Sequence, residues 1–364
     1  MRVAICLAAS FIAACGLAPQ STAKQRVVNV YNWSDYIDPV ILEDFTKETG
    51  IRVVYDVFDD NSVLETKLLA GDSGYDVVVP GGPFLARQIA AGALQKLDKS
   101  RLPNIANLWP EITQRLAKYD PGNQYAINYM WGTTSIGYNV EKLKSILGDL
   151  PVVSLDIIFK PEYLEKLRAC GINILDAPDE TIALAMNYLG KDPDSKKAGD
   201  LQAASDLYRK TRPYVRTFNS SAYINDLASG DICLAVGWSG DIFQAKARAS
   251  EAKNGVTIEL LVPKEGAYVW FDNLAIPADA KNVAEAHIFI NYLMRPDVIA
   301  KASNYVQYAN GNLASQHLLD EAVIGNPAIY PPEATMAKLF SISPYNAHQQ
   351  RVLNRLWINV KTNF

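Results

Sequence analysis

The first third of the sequence alternates between short β-rich runs and a helical pattern, and this alternation constrains the fold more than any other feature. Residues 27–31 and 51–57 are rich in β-branched and aromatic side chains, which favour strands. Between them, Pro39–Thr49 has helical spacing, with Asp38 as the predicted cap and Gly50 as the predicted stop. This β-α-β unit predicts an α/β fold with parallel strands and with ligand sites at the carboxyl ends of those strands.

The same alternation continues through the rest of the chain. The predicted elements are a helix capped by Ser62 and ending at Ala70, a strand over 75–79 that ends at Pro80-Gly81-Gly82, a helix to about residue 91, a helical region over 161–209, strands over 232–236, 257–262 and 267–276, and helices over 284–293, 296–303, 332–340 and from 347 onward. No low-complexity linker divides these elements, although 364 residues are enough for two lobes. The chain is therefore predicted to cross between its lobes more than once.

The overall charge argues against one large class of partners. The chain has 35 basic and 39 acidic residues, which gives a formal net charge of −4. Proteins that bind nucleic acids usually carry an excess of clustered Lys and Arg, so no nucleic-acid partner is predicted.

Residues 1–23 are predicted to be a secretory signal rather than part of the fold. Arg2 precedes an apolar run over 3–14, which is shorter than the roughly 20 residues that a membrane-spanning helix needs. Two processing routes fit this segment: cleavage before Cys15 with lipidation of that cysteine, or ordinary cleavage after Ser21-Thr22-Ala23. Both routes predict an exported protein, and only the first attaches it to a membrane.

Export changes how the cysteines are interpreted. Cys6 and Cys15 belong to the signal, which leaves Cys170 and Cys233 in a compartment that permits oxidation. These residues fit both a disulfide and two separate buried thiols. The three histidines are scattered and neither cysteine has a partner at ligand spacing, so no metal site is predicted.

Familiar catalytic motifs do not occur in the sequence. There is no G-x-S-x-G elbow and no G-x-G-x-x-G after a strand, and Gly190-Lys191-Asp192 lacks the Ser or Thr that completes a P-loop. The chain is therefore predicted not to be an enzyme and not to carry a cofactor.

Tryptophan stands beside a carboxylate at three predicted strand ends. The clusters are Trp33-Ser34-Asp35-Tyr36, Trp238-Ser239-Gly240-Asp241 and Trp270-Phe271-Asp272, and a further acidic segment is Asp176-Ala177-Pro178-Asp179-Glu180. A ligand made of methylenes with ammonium ends needs aromatic walls and anionic acceptors. A single cluster is better explained as a core Trp beside a capping Asp, but three together favour a site for such a cation.

Several longer segments carry a family resemblance. They are Val28-Asn29-Val30-Tyr31-Asn32-Trp33-Ser34-Asp35-Tyr36-Ile37, Gly74-Tyr75-Asp76-Val77-Val78-Val79-Pro80, Tyr223-Ile224-Asn225-Asp226-Leu227-Ala228, Gly230-Asp231-Ile232-Cys233 and Asn291-Tyr292-Leu293-Met294-Arg295-Pro296. From about residue 27 to the C-terminus, the chain resembles the polyamine-binding proteins of bacterial ABC importers, and most closely the putrescine-binding type. The resemblance implies a periplasmic protein with the two-lobed type II binding fold and a ligand cleft between the lobes. The implied N-lobe comprises 27–132 plus about 257–310, and the implied C-lobe 133–256 plus about 311–364.

The resemblance also implies which residues bind the ligand. Trp33 and Trp238 would form opposing aromatic walls, and carboxylates would hold the amine ends. The implied binding residues are Trp33, Ser34, Asp35, Tyr36, Gly81, Glu180, Trp238, Asp241, Trp270, Asp272 and Tyr308. Cys170 and Cys233 fall where putrescine-type members carry a disulfide, which favours the paired state. The implied partners of this monomer are putrescine or a related polyamine and a membrane ABC permease.

Some positions depart from the family pattern. The family commonly has Ser where Gly81 stands, and the putrescine type usually has Phe where Trp270 stands, whereas the spermidine type has Trp. Conversely, Ser34, Ala177 and Pro83 replace the Thr, acidic and Tyr residues associated with spermidine. The resemblance therefore predicts putrescine first, with spermidine or a related diamine next.

Two other functions stay open at this point. The same pocket would suit a polyamine sensor that docks onto a receptor instead of a permease. A hydrolase acting on polyamines is a weaker alternative, because the sequence lacks a metal cluster and a nucleophile motif.

Overall fold

The computed structural model describes residues 25–149 and 152–362. The predicted signal, with Cys6 and the lipidation candidate Cys15, lies outside the described residues. Among the residues that are described, no helix is both long and apolar enough to cross a membrane.

Strands and helices alternate along much of the chain. The strands are β1 (Val27–Trp33), β2 (Arg52–Phe58), β3 (Val77–Val78), β4 (Leu94–Gln95), β5 (Ala126–Asn139), β6 (Ile172–Ile174), β7 (Thr217–Phe218), β8 (Leu234–Trp238), β9 (Ile258–Leu261), β10 (Tyr268–Pro277) and β11 (Ala309–Asn310). The helices are α1 (Pro39–Thr49), α2 (Asn61–Ala70), α3 (Gly82–Ala90), α4 (Pro110–Leu116), α5 (Val140–Leu147), α6 (Asp156–Phe159), α7 (Pro161–Leu167), α8 (Pro178–Tyr188), α9 (Ala198–Thr211), α10 (Tyr223–Ser229), α11 (Ser239–Ala252), α12 (Val283–Leu293), α13 (Pro296–Val306), α14 (Glu321–Ile324), α15 (Glu333–Met336) and α16 (Ala347–Thr362).

The strands form one mixed sheet, which confirms the predicted α/β class. The order is β2-β1-β3-β10-β5-β8-β6-β7. At one end of the sheet β1 pairs in parallel with β2 and β3, and at the other end β6 pairs in parallel with β7 and β8. In the centre of the sheet, β10 and β5 are antiparallel. We call the half with β1–β3 the first lobe and the half with β6–β8 the second lobe. The carboxyl ends of β1 and β8 carry the Trp33 and Trp238 clusters.

The first β-α-β unit forms as the sequence predicts. Asp38 caps α1, since its carboxylate accepts a hydrogen bond from the amide of Val40 at 2.9 Å. Gly50 ends the helix with φ of 70°, a left-handed conformation that favours glycine. Ile41 and Phe45 face the core, and β1 pairs with β2 in parallel over seven residues.

Three local predictions differ from the structure. The α2 cap is Asp60 rather than Ser62, because the Asp60 carboxylate accepts the Ser62 amide at 2.5 Å. The predicted helical region 161–209 is interrupted by the buried strand β6, and the predicted helix 332–340 shortens to α15. The central strand β5 was not predicted.

Strand β5 joins the two lobes. Its first part pairs with β10 as far as Thr134, and from Thr134 onward it pairs with β8 and β9. The lobe boundaries remain a prediction. Two contacts favour boundaries that lie later in the sequence than residues 257 and 310. Strand β9 packs against α11 of the second lobe, and the turn Leu313–Leu318 packs against α13 of the first.

The disulfide predicted between Cys170 and Cys233 is present, and its two Cα atoms are 5.5 Å apart. The bond joins the end of α7 to the start of β8 and encloses a loop with a sequence separation of 63. We expect reduction to lower the free energy of unfolding by about 2–4 kcal/mol, because the reduced chain gains unfolded-state entropy. Denaturant titration of the oxidised protein and of a Cys170→Ser/Cys233→Ser variant measures this difference. Equal midpoints and slopes would contradict it.

Candidate functional site

All eleven residues that the sequence predicts for the site line a single cavity between the lobes. The cavity comprises about 740 Å³ of space between atoms, including its opening to solvent. The predicted residues around it are Trp33, Ser34, Asp35, Tyr36, Gly81, Glu180, Trp238, Asp241, Trp270, Asp272 and Tyr308. They come from separate segments along the chain, so only the tertiary fold brings them together.

Eight aromatic residues line the cavity. The indole of Trp33 is held by a hydrogen bond from Nε1 to the carbonyl of Val79 at 3.0 Å. It meets Trp238 of the second lobe edge to face, with ring centroids 5.6 Å apart. Trp270 meets Tyr308 in a similar way at 5.2 Å. The two predicted walls therefore touch across the cleft, and the cavity is narrow at this point.

Asp272 is a buried carboxylate that points into the cavity from within β10, not from a strand end as the sequence predicted. The register between β10 and β5 shifts between Asp272 and Asn273, and such a bulge can redirect a side chain. The carboxylate accepts a hydrogen bond from the hydroxyl of Tyr36 at 2.9 Å. Burial raises its pKa to about 8, and the nearby Glu180 carboxylate adds to this rise, while the Tyr36 hydrogen bond opposes it.

Asp241 is a second buried carboxylate and lies in the first turn of α11. It accepts hydrogen bonds from the hydroxyls of Tyr308 at 2.6 Å and Tyr223 at 2.8 Å. The hydroxyl of Tyr223 also accepts the amide of Trp238 at 2.9 Å, which fixes its orientation. Burial raises the pKa of Asp241 to about 6, although both tyrosine hydrogen bonds favour the ionised form.

Glu180 contributes a third carboxylate from the first turn of α8. It accepts hydrogen bonds from the Trp238 indole Nε1 at 3.0 Å and from the hydroxyl of Thr134. Burial raises its pKa to about 7, with smaller contributions from the carboxylates of Asp179 and Asp60. The helix N-terminus and the two hydrogen bonds favour the charged form.

Of the remaining predicted residues, Asp35 is exposed and Ser34 is partly exposed, whereas Gly81 is buried. Asp35 has a left-handed φ of 53°, and its carboxylate is half exposed and forms an ion pair with Arg248 at 3.3 Å. The Ser34 hydroxyl donates to Asp59 at 2.7 Å. Gly81 pairs with Asp272 through a single β-bridge and has no side-chain hydroxyl where the family usually has Ser.

Sequence reasoning missed several residues of the site. Tyr223 lies in a segment that carries the family resemblance, but nothing in its local pattern predicts a hydrogen bond to Asp241. Asp179 belongs to the acidic segment and lines the cavity beside Glu180. The other unpredicted lining residues include Phe58, Asp59, Asn61, Phe84, Ser220, Ser221, Ile224 and Tyr268. Their positions depend on how the lobes meet, for which the sequence has no local signal.

Every charged side chain in the described cavity lining is acidic. The lining includes six carboxylates, and no Lys, Arg or His among the described residues lines it. Within the described part of the chain, no group of three or more His, Cys, Asp or Glu side chains is arranged to hold a metal ion. Aromatic rings and carboxylates around a narrow space suit an elongated organic cation with more than one charged group.

Comparison with known proteins agrees with this chemistry. The chain is 55% identical over 342 residues to the putrescine-binding periplasmic protein PotF of Escherichia coli, covering 93% of this chain and 92% of that one. It is 54% identical over 341 residues to the putrescine-binding periplasmic protein SpuD of Pseudomonas aeruginosa, covering 93% of both. The solved structure of the spermidine/putrescine substrate-binding protein PotD of Streptococcus pneumoniae aligns with a TM-score of 0.75 at 30% identity, over 93% of this chain and 99% of that one.

These relatives are solute-binding transport proteins rather than enzymes, in agreement with the prediction. Residues 41–331 also match the family of bacterial extracellular solute-binding proteins. With more than half of the chain matched and two relatives above 50% identity, the protein belongs to the bacterial extracellular solute-binding protein family.

Proposed function

We propose that the protein captures putrescine in the cavity between its lobes and delivers it to a membrane ABC permease. The observation that carries this proposal is the set of three buried or partly buried carboxylates, Asp241, Asp272 and Glu180, between aromatic walls without a basic side chain in the described lining. The names of the two relatives above 50% identity support the same ligand.

The energetics suit a reversible carrier. An alkyl ammonium with a pKa of about 10 is charged at neutral pH, so the diamine enters as a dication that loses its hydration. Each charge-assisted hydrogen bond returns about 1.5–3 kcal/mol, while association costs about 4–15 kcal/mol. With four or five such contacts and the burial of the methylene groups against aromatic rings, the net binding free energy is about −8 kcal/mol, which corresponds to micromolar affinity.

The lining also supports an order of preference. Trp270 matches the spermidine type, but Ser34, Ala177 and Pro83 stand in place of the Thr, acidic and Tyr residues of that type. Ala177 and Pro83 offer no charge or hydroxyl beyond the main site. We therefore propose putrescine as the preferred ligand, with spermidine or a related diamine second.

Calorimetric titration tests this order. We expect putrescine to bind at micromolar Kd or better and more tightly than spermidine, because fewer ammonium groups then need partners. A series of diamines of increasing length serves as the control for chain length. Much tighter binding of spermidine would reverse the order, and heat changes absent for every amine would reject the function.

The cellular setting is part of the proposal. We propose that the protein acts as a monomer in the periplasm and presents the closed, ligand-bound lobes to the permease. The relatives named as periplasmic support this location. Two forms of the exported protein are alternatives: a soluble form, and one anchored through a lipid on Cys15.

A further inference from the structure

The outward face of α16 carries basic side chains and no acidic ones. The helix contains Arg351, Arg355 and Lys361 but no Asp or Glu. Lys361 is paired with Asp176 at 2.7 Å. Arg351 and Arg355 are both exposed, and neither forms an ion pair within the described part of the chain. Two positive charges on this helix are therefore left without a partner there.

The spacing of the two arginines makes this arrangement unfavourable for the helix itself. Arg351 and Arg355 are four residues apart, so their guanidinium groups lie on the same face, where like charges repel each other. Ile358 continues this face one turn later, and 55% of its surface is exposed. Arginine beside exposed apolar surface is typical of a protein interface.

Helix α16 begins at the opening of the cavity. It packs against α8 and α9 of the second lobe. In its first turn, Gln350 donates a hydrogen bond to Asp179, a residue of the cavity lining, at 3.0 Å. The side-chain oxygen of Gln350 accepts a hydrogen bond from Nη1 of Arg87, in the first lobe, at 2.8 Å. Arg351 follows directly, so the basic face starts where the two lobes meet.

The first lobe contributes apolar side chains near the same place. Arg87 donates to Glu65 of α2 at 2.9 and 3.1 Å, so hydrogen bonds connect α2 to Gln350 of α16. Val63 and Leu69 lie within about one turn of Glu65 on α2, and they are 51% and 56% exposed. The basic face of one lobe and the apolar face of the other are therefore held together only while the lobes meet.

We propose that this combined surface docks onto an acidic periplasmic segment of the membrane ABC permease. We call it the mouth surface, and it consists of Arg351, Arg355, Ile358, Val63 and Leu69. The inference rests on the proposed function, since it names the surface through which the permease receives the loaded protein. The unpaired arginines favour an acidic partner and steer its approach. Because the surface spans both lobes, the permease binds the protein more tightly when the lobes are together.

The number of charges favours a protein partner over a membrane. Attraction to anionic lipids generally takes a cluster of about four or more basic residues, whereas the mouth surface has two. Two arginines beside apolar side chains instead match the composition of a protein–protein contact.

Stimulation of the permease ATPase tests the mouth surface. The wild type and Arg351→Glu/Arg355→Glu, both loaded with putrescine, are titrated onto the cognate permease in phosphatidylcholine nanodiscs. We expect the concentration for half-maximal stimulation to rise about 10- to 100-fold in the variant, because like charges then face the acidic segment. Its Kd for putrescine should stay unchanged, since neither arginine lines the cavity. Equal half-maximal concentrations would overturn the proposal.

Three further variants separate docking from net charge and from folding. Arg351→Lys/Arg355→Lys keeps both charges and should stimulate nearly as well as the wild type. Lys166→Glu/Arg168→Glu changes the net charge equally at the amino end of β6, away from the cavity, and should have no effect. A loss there equal to that of the arginine reversal would overturn the proposal. If the double reversal binds no putrescine, Arg355→Glu alone replaces it, with the same outcomes.

Two controls identify the cause of a negative result. Wild-type protein that binds empty phosphatidylglycerol nanodiscs as well as it binds the permease would assign the surface to the membrane and overturn the proposal. Wild-type protein that binds putrescine but stimulates no ATPase would reject delivery to the permease, and the mouth surface with it. If instead both the wild type and the arginine reversal stimulate equally, delivery stands and only the mouth surface is rejected.

Discussion

Replacing Asp272 by Asn should weaken putrescine binding by about 3–5 kcal/mol, because the ammonium would be buried without its anionic partner. The substitution is nearly isosteric, and an asparagine oxygen can still accept the Tyr36 hydroxyl that now lies 2.9 Å from the carboxylate. Lost affinity would therefore report the lost charge rather than a collapsed pocket. Calorimetric titration at about pH 8 measures the difference, since most of the wild-type carboxylate can ionise there in the presence of a cation.

The same substitution at Asp35 is a matched control. Asp35 lines the same cavity, but its carboxylate is half exposed and is paired with Arg248 at 3.3 Å. Water screens such a charge, so Asp35→Asn should cost less than about 1 kcal/mol of binding free energy. Similar losses for both variants would contradict the assignment of Asp272 as the buried anchor of the ligand.

Stability of the ligand-free protein offers an independent check on Asp272. Its pKa is raised to about 8, so the charged form is disfavoured in the folded state. The group contributes stability that is fully present below its ordinary pKa near 4 and is lost as the pH rises through about 8. Asp272→Asn removes this penalty, so the ligand-free variant should unfold at the same or a higher temperature than the wild type at about pH 8.

Much of the site could be predicted because its residues follow strands. Trp33 and Trp238 end β1 and β8, while Trp270 and Asp272 lie within β10 beside its bulge. Strand ends converge in an α/β sheet, so the aromatic and acidic clusters could be expected to share one site, while the full set of eleven residues was implied by the family resemblance. The surroundings of Asp179 cannot be predicted in this way, because it contacts Arg87 and Gln350 from helices distant in sequence.

The central strand shows where pattern analysis fails. Strand β5 is buried along nearly its whole length, so it lacks the alternation of polar and apolar side chains that marks a half-exposed strand. It also contains glycines, which lower strand propensity. Gly132 is required by packing, because a Cβ there would lie 2.7 Å from the Trp270 ring. Gly132 thus lowers the strand propensity of β5 and also leaves the space that the Trp270 ring occupies in the site.

The helix caps illustrate a smaller ambiguity. Asp60 and Ser62 are both good capping residues and lie two positions apart, so the sequence alone does not decide between them. In the structure Asp60 takes the cap. The β-α-β unit had no such competitor, and its cap and stop were predicted correctly.

The affinity for putrescine should rise steeply with pH between about 5.5 and 8.5, on the order of 10³- to 10⁴-fold. In the ligand-free protein, burial raises the pKa of Asp272 to about 8, of Glu180 to about 7 and of Asp241 to about 6. An ammonium beside each carboxylate lowers these pKa values in the complex. Binding at acidic pH must therefore expel protons, and each expelled proton costs up to about 1.4 kcal/mol per pH unit.

The ligand does not reverse this trend, since its amines stay charged up to a pKa of about 10. Titrations in buffers with different ionisation enthalpies measure the protons released directly. More than one proton should leave per ligand at about pH 6, and fewer at about pH 8.5, where the carboxylates are already ionised. In Asp272→Asn the proton release and the pH slope above about pH 7 should both shrink, because the group with the highest of the three pKa values is gone. A flat profile in the wild type would mean that the carboxylates are ionised before the ligand arrives, and that burial does not control the site.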